Sequence, residues 1–206
     1  MNIRIPIPKR VLDVFEQAVV LLLYVWMIAR LLPDDFSSTN WYPLLILFSE
    51  GIVVVLLVFR RRTERISVNL VDWAVAFGGT FAVLLIAKGN DPITPVGGVS
   101  LLLIGLCVHV AAKLMLLRSF GLVAADRGIK SGGLYAFVRH PMYFGYLMTH
   151  IGYLLVAPSV WNVAVYLFAW VFMIARIFAE ERLLDANPDY RAFKARVRYR
   201  LLPGIF

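Results

Sequence analysis

Cysteine, histidine and charge are all scarce in this chain, and each scarcity excludes something. The single Cys107 cannot form an internal disulfide or a cysteine-rich metal site, and within an apolar segment it reads as a small buried side chain. The three histidines are scattered at 109, 140 and 150, so no zinc centre and no metal is expected. Neither a Gly-x-Gly-x-x-Gly turn nor a P-loop is present, so any nucleotide bound here is held without a Rossmann turn. Internal repeats and low-complexity tracts are missing too. Only 17% of residues are charged against 61% apolar, too apolar a balance for an ordinary soluble domain.

What is present is a series of apolar runs. A bilayer core of about 30 Å calls for roughly 20 apolar residues per helix. Runs near that length fall at about 12–32, 42–59, 68–87, 97–117, 142–157 and 160–180, the last two separated only by Pro158-Ser159. All ten prolines lie in the gaps or at segment edges, where a missing amide donor does little harm. The pattern predicts an all-α integral membrane protein with about six transmembrane helices, the last two a tight helical hairpin. The first run carries Asp13 and Glu16 and lacks a small-residue cleavage pattern, so it is expected to remain as a helix. In the tail, Asn187-Pro188-Asp189 reads as a capped helix start. Tyr190, Phe193 and Val197 then recur at helical spacing, which suits an amphipathic interfacial helix that lies on headgroups or covers a site and ends at Pro203-Gly204.

Basic residues suggest an orientation. In a six-span arrangement 17 of the 21 lysines and arginines fall on one side, in the N-terminal tail, the loops around Arg60–Arg65 and 118–141, and the region after Glu181. By the positive-inside rule both termini are cytoplasmic. Anionic lipid headgroups account for the net charge of +8, and no nucleic acid is needed to explain it. The chain reads as one membrane domain over 1–206, with 1–96 a scaffold and 97–206 the part that carries chemistry.

Several ionisable residues lie within the runs. Glu16, Asp72 and Lys113 stand near span ends and read as structural or snorkelling groups. Glu50, His109 and His150 are deeper, where an interhelical hydrogen bond or a neutral packed imidazole is expected. Gly145, Thr149 and Gly152 form a close-packing face for a neighbouring helix.

Arg139-His140-Pro141-Met142-Tyr143 differs in kind. Pro141 biases His140 away from helical geometry and opens the next helix, placing Arg139 and His140 at a helix N-terminus that attracts anionic groups. Taken alone, the block also suits a basic anchor with an interfacial tyrosine. At the end of the last run, Arg176 and Glu180 are one helical turn apart, with Glu181 and Arg182 beside them. Two antiparallel spans joined by a short turn bring these two clusters to the same membrane face.

Here the chain resembles the isoprenylcysteine carboxyl methyltransferases and their phospholipid methyltransferase relatives. The similarity covers about 117–206 and is carried by Ser119-Phe120-Gly121, Gly133-Leu134-Tyr135, the Arg139–Tyr143 block, Glu180-Glu181, Tyr190 and Leu202-Pro203. The resemblance implies an integral membrane methyltransferase dependent on S-adenosyl-L-methionine, with a cofactor pocket built from the last two spans and the tail. A lipophilic small-molecule or lipidated substrate would enter it from the membrane lipids. It implies cofactor contacts from Ile129, Lys130, Tyr135, Arg139, His140, Pro141, Met142 and Tyr143. Arg176 matches a substrate-orienting arginine, and Glu180 or Glu181 a cofactor-binding glutamate, with Glu180 also placed to fix Arg176. The first three spans match no motif.

Those residue types suit methyl transfer. Displacement at a sulfonium methyl needs alignment and desolvation more than a metal or a protein nucleophile. Arg176 can fork onto an acceptor carboxylate, and a tyrosine face can meet the sulfonium. An amine acceptor must lose a proton, which makes His140 or a glutamate the base. The acceptor stays open among a prenylcysteine-like carboxylate, a thiol and a lipid amine. Two other classes remain as alternatives: an NADPH-dependent sterol-type reductase, disfavoured by Met142 before Tyr143 and by Tyr146 after Gly145, and a noncatalytic lipid-binding scaffold, which leaves the paired clusters without a purpose.

Overall fold

The computed structural model describes residues 8–31, 42–61, 63, 65–83, 85–87 and 89–206. Arg62 and Lys88, the side chain of Glu50 and the basic side chains of Arg4 and Lys9 lie outside the described residues. Seven α-helices account for most of what is described: α1 (Lys9–Leu31), α2 (Tyr42–Phe59), α3 (Leu70–Val83), α4 (Pro95–Leu116), α5 (Pro141–Val156), α6 (Val160–Leu184) and α7 (Pro188–Arg196). Short 3₁₀ turns occupy Leu117–Ser119 and Gly133–Ala136. Among the described residues β pairing is limited to an isolated bridge between Ile66 and Ala125.

Local chemistry explains the helix starts. Proline opens α4, α5 and α7, where its missing N–H would have no intrahelical partner. Ser159 caps α6 by accepting from the Asn162 amide at 3.0 Å, and Asn187 caps α7 by accepting from the Asp189 amide at 2.9 Å.

Against the expected six spans, two described helices have the length and apolarity to cross a membrane: α4 with its following turn, Pro95–Ser119, and α6, each 25 residues. The apolar α3 has 14 residues and α5 has 16, a rise of about 24 Å for the latter.

The expected small-residue face on α5 meets α4. A Cβ added at Gly145 would lie 2.5 Å from the amide nitrogen of His109, and one at Gly105 would lie 2.6 Å from that of Thr149. The two backbones therefore touch, which only glycine permits. The hairpin expectation needs correction. The Ala157–Ser159 turn is short, but α5 leans on α4 and α6 on α3, where Phe172 fills the space above Gly78 and Gly79. Long side chains bridge α5 to α6: Trp170 donates to His150 Nδ1 at 3.1 Å, and His150 stacks on Tyr166 with centroids 4.3 Å apart. A ring nitrogen that accepts is that of a packed, uncharged imidazole, as expected for the deep histidines. His109 lies against Tyr146, its centroid 4.8 Å away.

Other expectations also change. Glu16 and Lys113 are fully buried and Asp72 is 6% exposed, so none of them snorkels. Asp72 accepts from Ser67 and from Arg182, both at 2.5 Å, because a carboxylate that cannot reach water must find donors inside. Cys107 is exposed on α4, on a face that no other described helix covers. Finally, α7 stops at Arg196, well before Pro203-Gly204. Beyond Val197 the chain leaves the helix to run beside the start of α5, where the Arg139 and His140 amides donate to the carbonyls of Tyr199 and Arg200 at 2.9 and 2.8 Å.

Candidate active site

Four pieces of chain converge at one end of the bundle: the first turn of α5, the last turn of α6, the 118–140 connection, and α7 with the strap that follows it. Their meeting is driven by burial of Phe120, Tyr135, Met142, Tyr143, Ile177, Tyr190, Phe193 and Val197 in one hydrophobic cluster.

The Arg139–Tyr143 block and the Glu180-Glu181 pair are in direct contact. Glu181 is buried, accepts from Arg139 Nε at 2.8 Å and from Arg200 Nε at 2.9 Å, and lies 3.3 Å from His140 Nε2. Arg200 is itself held between the rings of Phe178 and Phe206, each centroid 5.1 Å away. The α5 N-terminus thus has its anion, but that anion is Glu181, and the Arg139 and His140 amides are taken by the tail. An external anion has no free amide at these two positions.

Glu180 is arranged differently. Its Oε1 accepts from the Tyr143 hydroxyl and from Arg176 Nε, the latter at 3.2 Å. Its Oε2 stands 3.7 Å from His140 Nδ1, and the side chain remains 20% exposed. The Arg176 guanidinium lies 5.4 Å from the Tyr143 ring centre and donates to the Gly121 carbonyl at 3.2 Å, tying α6 to the connection.

A narrow cleft of about 100 Å³ opens here. Of the residues anticipated from sequence, Ile129, Lys130, Tyr135, Arg139, His140, Met142, Tyr143 and Glu180 line it. Pro141, Arg176 and Glu181 are not among the residues that line it. The remaining wall is the loop Val123–Ala125 with Arg127 and Gly128, and the roof is Tyr190 and Phe193 of α7. The helical spacing of Tyr190 and Phe193 already suggested a covering helix. Arg127 carried no signal, because its partner Asp13 is 114 residues away. Gly128 turns the wall at φ 99°, a conformation other residues rarely adopt.

Burial, and then the charge of Glu180, pushes the Tyr135 phenol well above its ordinary range; its hydroxyl donates to the Ala112 carbonyl at 3.4 Å. Tyr190 is raised by burial and then by Glu181, and its buried hydroxyl has no hydrogen-bond partner. Both therefore stay protonated as donors at neutral pH. Burial, with Arg60 next, lowers Arg127, while Glu16 and Asp13 act the other way. For Asp126, burial would raise the carboxyl, but hydrogen bonds from the Gly128 amide, Asn187 and Arg65 outweigh it and hold it below 3.8.

Among the described residues no group of histidine, cysteine and carboxylate side chains is placed to hold a metal. The cleft brings one carboxylate, Glu180, together with aromatic residues, phenolic hydroxyls and the basic side chains of Arg127, Lys130, Arg139 and His140. No curated protein matches this chain. Residues 93–187, which run from just before α4 to just past the end of α6, match the model of the phospholipid methyltransferase family.

Proposed function

We propose that the chain transfers a methyl group from S-adenosyl-L-methionine to a lipophilic acceptor at the cytosol–membrane boundary, with a prenylcysteine-like carboxylate the best-fitting acceptor. The observation that carries this is Glu180, which lines the cleft and is held on one oxygen by Tyr143 and Arg176 while its other oxygen lies 3.7 Å from His140 Nδ1. The fit to the methyl donor rests on three features. A buried phenol, Tyr190, lacks a partner at the roof. Glu180 is a carboxylate suited to an ammonium group. The walls at Tyr135 and Phe193 offer ring faces to a sulfonium or an adenine. When bound, the cofactor supplies an electrophilic methyl group for in-line displacement.

The protein's own groups position and desolvate. Glu180 would accept from the cofactor's amino group and Tyr190 would donate to it, while Glu181 braces Arg139 and His140 at the start of α5. Arg176, behind Tyr143, orients an acceptor carboxylate through a charge-assisted contact. An acid of this kind is already ionised at neutral pH, so no general base is required. Six spans with both termini cytoplasmic belong to the same reading, supported by the one-sided distribution of lysine and arginine.

Purified protein titrated in parallel with S-adenosylmethionine and NADPH tests the cofactor. Binding of the first alone is expected; binding of NADPH alone, or of neither, overturns the proposal. Incubation of a membrane lipid extract with methyl-labelled cofactor then identifies the acceptor from the hydrophobic product.

A further inference from the structure

Four charged side chains meet beside the cleft, and of these only Arg127 lines it. Asp13 and Glu16 lie one turn apart on α1, Arg60 directly follows α2, and Arg127 belongs to the 118–140 connection. Arg60 reaches Asp13 at 2.7 Å and Glu16 at 2.8 Å, and Arg127 reaches Asp13 at 2.8 Å and Glu16 at 3.7 Å. Their side chains are 0–6% exposed. Two negative and two positive groups leave the cluster neutral. Hydrophobic residues of similar volume would fill such a site at no lower stability, because four desolvated charges regain little from pairing. What charged groups add is direction.

Glu16 supplies that direction. Its Oε1 accepts from the amides of both Leu122 and Val123, at 2.6 and 2.9 Å. The chain then passes straight into Val123, Ala124, Ala125, Arg127 and Gly128, all of which line the cleft. The segment after α2 grips the same stretch from outside: the Arg61 amide donates to Arg118, Ser67 to Ala124, and Asp126 to Arg65, at 2.7, 2.9 and 2.9 Å. The cleft wall is thus suspended from α1 and from the segment that follows α2.

We infer that Asp13, Glu16, Arg60 and Arg127 form a positioning network that holds the cleft wall in its ligand-binding shape. The N-terminal helices, outside the segment that matches the family, thereby set the geometry of the methyl-donor site. This rests on the methyl-donor reading of the cleft.

The test compares full-length wild-type protein with Glu16→Ala, Glu16→Gln and Ser159→Ala, reading the Kd for S-adenosylmethionine, the thermal midpoint, and hydrogen exchange at the Leu122 and Val123 amides. Glu16→Ala is expected to raise Kd tenfold or more and to speed exchange at both amides. Glu16→Gln keeps an oxygen for the two amides but loses the charge, so a smaller rise and partial protection are expected; it also serves if the alanine variant does not fold. Ser159→Ala removes the N-cap of α6, at the opposite end of that helix from the cleft, and is expected to lower the midpoint with Kd unchanged. Wild-type affinity in either folded Glu16 variant overturns the inference, as does a Ser159→Ala variant that binds as weakly as they do. Wild-type protein that binds no S-adenosylmethionine defeats the methyl-donor reading and its link to this network. Unchanged exchange at 122 and 123 defeats the positioning network alone.

Discussion

Arg139, His140 and Arg200 gather around Glu181 at the end of α6, while Arg60 and Arg127 gather around Asp13 and Glu16 on α1. The first cluster continues into Glu180, which lines the cleft and is 20% exposed; the side chains of the second are 0–6% exposed. Both meet the rule that a buried charge must be paired. They differ in access, since the Glu180 side chain is partly exposed and lines the cleft whereas that of Glu16 is fully buried, and that difference separates a site able to hold a ligand from one able only to hold the protein. The open cluster is assembled from the helix ends of α5 and α6 and a nearby strap. The sealed one joins α1, the end of α2 and the cleft wall, and so couples the half of the chain without motifs to the half that carries them.

The strongest way to break the contrast is to disturb what places α5. Gly145→Leu would push a side chain into the α4 backbone, where even a Cβ would come within 2.5 Å. A cost above about 3 kcal/mol is expected, since backbone cannot move aside as a side chain can. Thermal unfolding in detergent measures it, and a midpoint near wild type would show that the seam is not rigid.

A sharper division lies within the open cluster. Arg176→Ala is expected to lower kcat about 100-fold, in the range found when one transition-state donor is removed, with cofactor affinity nearly unchanged. His140→Ala and Tyr143→Ala are expected to weaken cofactor binding instead. Calorimetric titration of all three decides it, and equal affinities would remove the assignment of separate roles.

The smallest expected effect concerns the joint between the halves. Asp126 accepts from Arg65 at 3.1 Å and from Asn187 at 2.9 Å. Its carboxyl is held below 3.8 in the folded protein. The ionised form therefore stabilises the fold, fully above about pH 4 and progressively less as pH falls through the lowered folded value. Asp126→Asn is expected to cost about 1 kcal/mol or less at neutral pH, with the difference from wild type vanishing in acid. A constant difference across an acid denaturation series would assign the loss to something other than this charge.

How legible these features were follows from their range in sequence. Pro141, Asn187-Pro188 and the Gly145-Thr149-Gly152 face act through their own helix or its immediate neighbour, so composition and spacing reveal them. The α4–α5 partnership was not legible, because a glycine face states that some helix approaches closely and not which one. Of the two readings of Glu16 and Lys113, structural or snorkelling, the structural one holds, because rotation about the helix axis, set by packing, turns both inward. Cys107 went the other way for the same reason.

The amino-acid order by itself determined the apolar helices, their proline-marked starts and the two polar clusters at the ends of α5 and α6, since each of these is decided by residues within a turn or two of one another. Tertiary structure alone decided that Glu180 lines the cleft while Glu181 is consumed by Arg139 and Arg200, and that Glu16 reaches Leu122 across 106 residues. Which of two adjacent carboxylates reaches the cleft depends on the donors that packing brings near, and those donors come from distant parts of the chain.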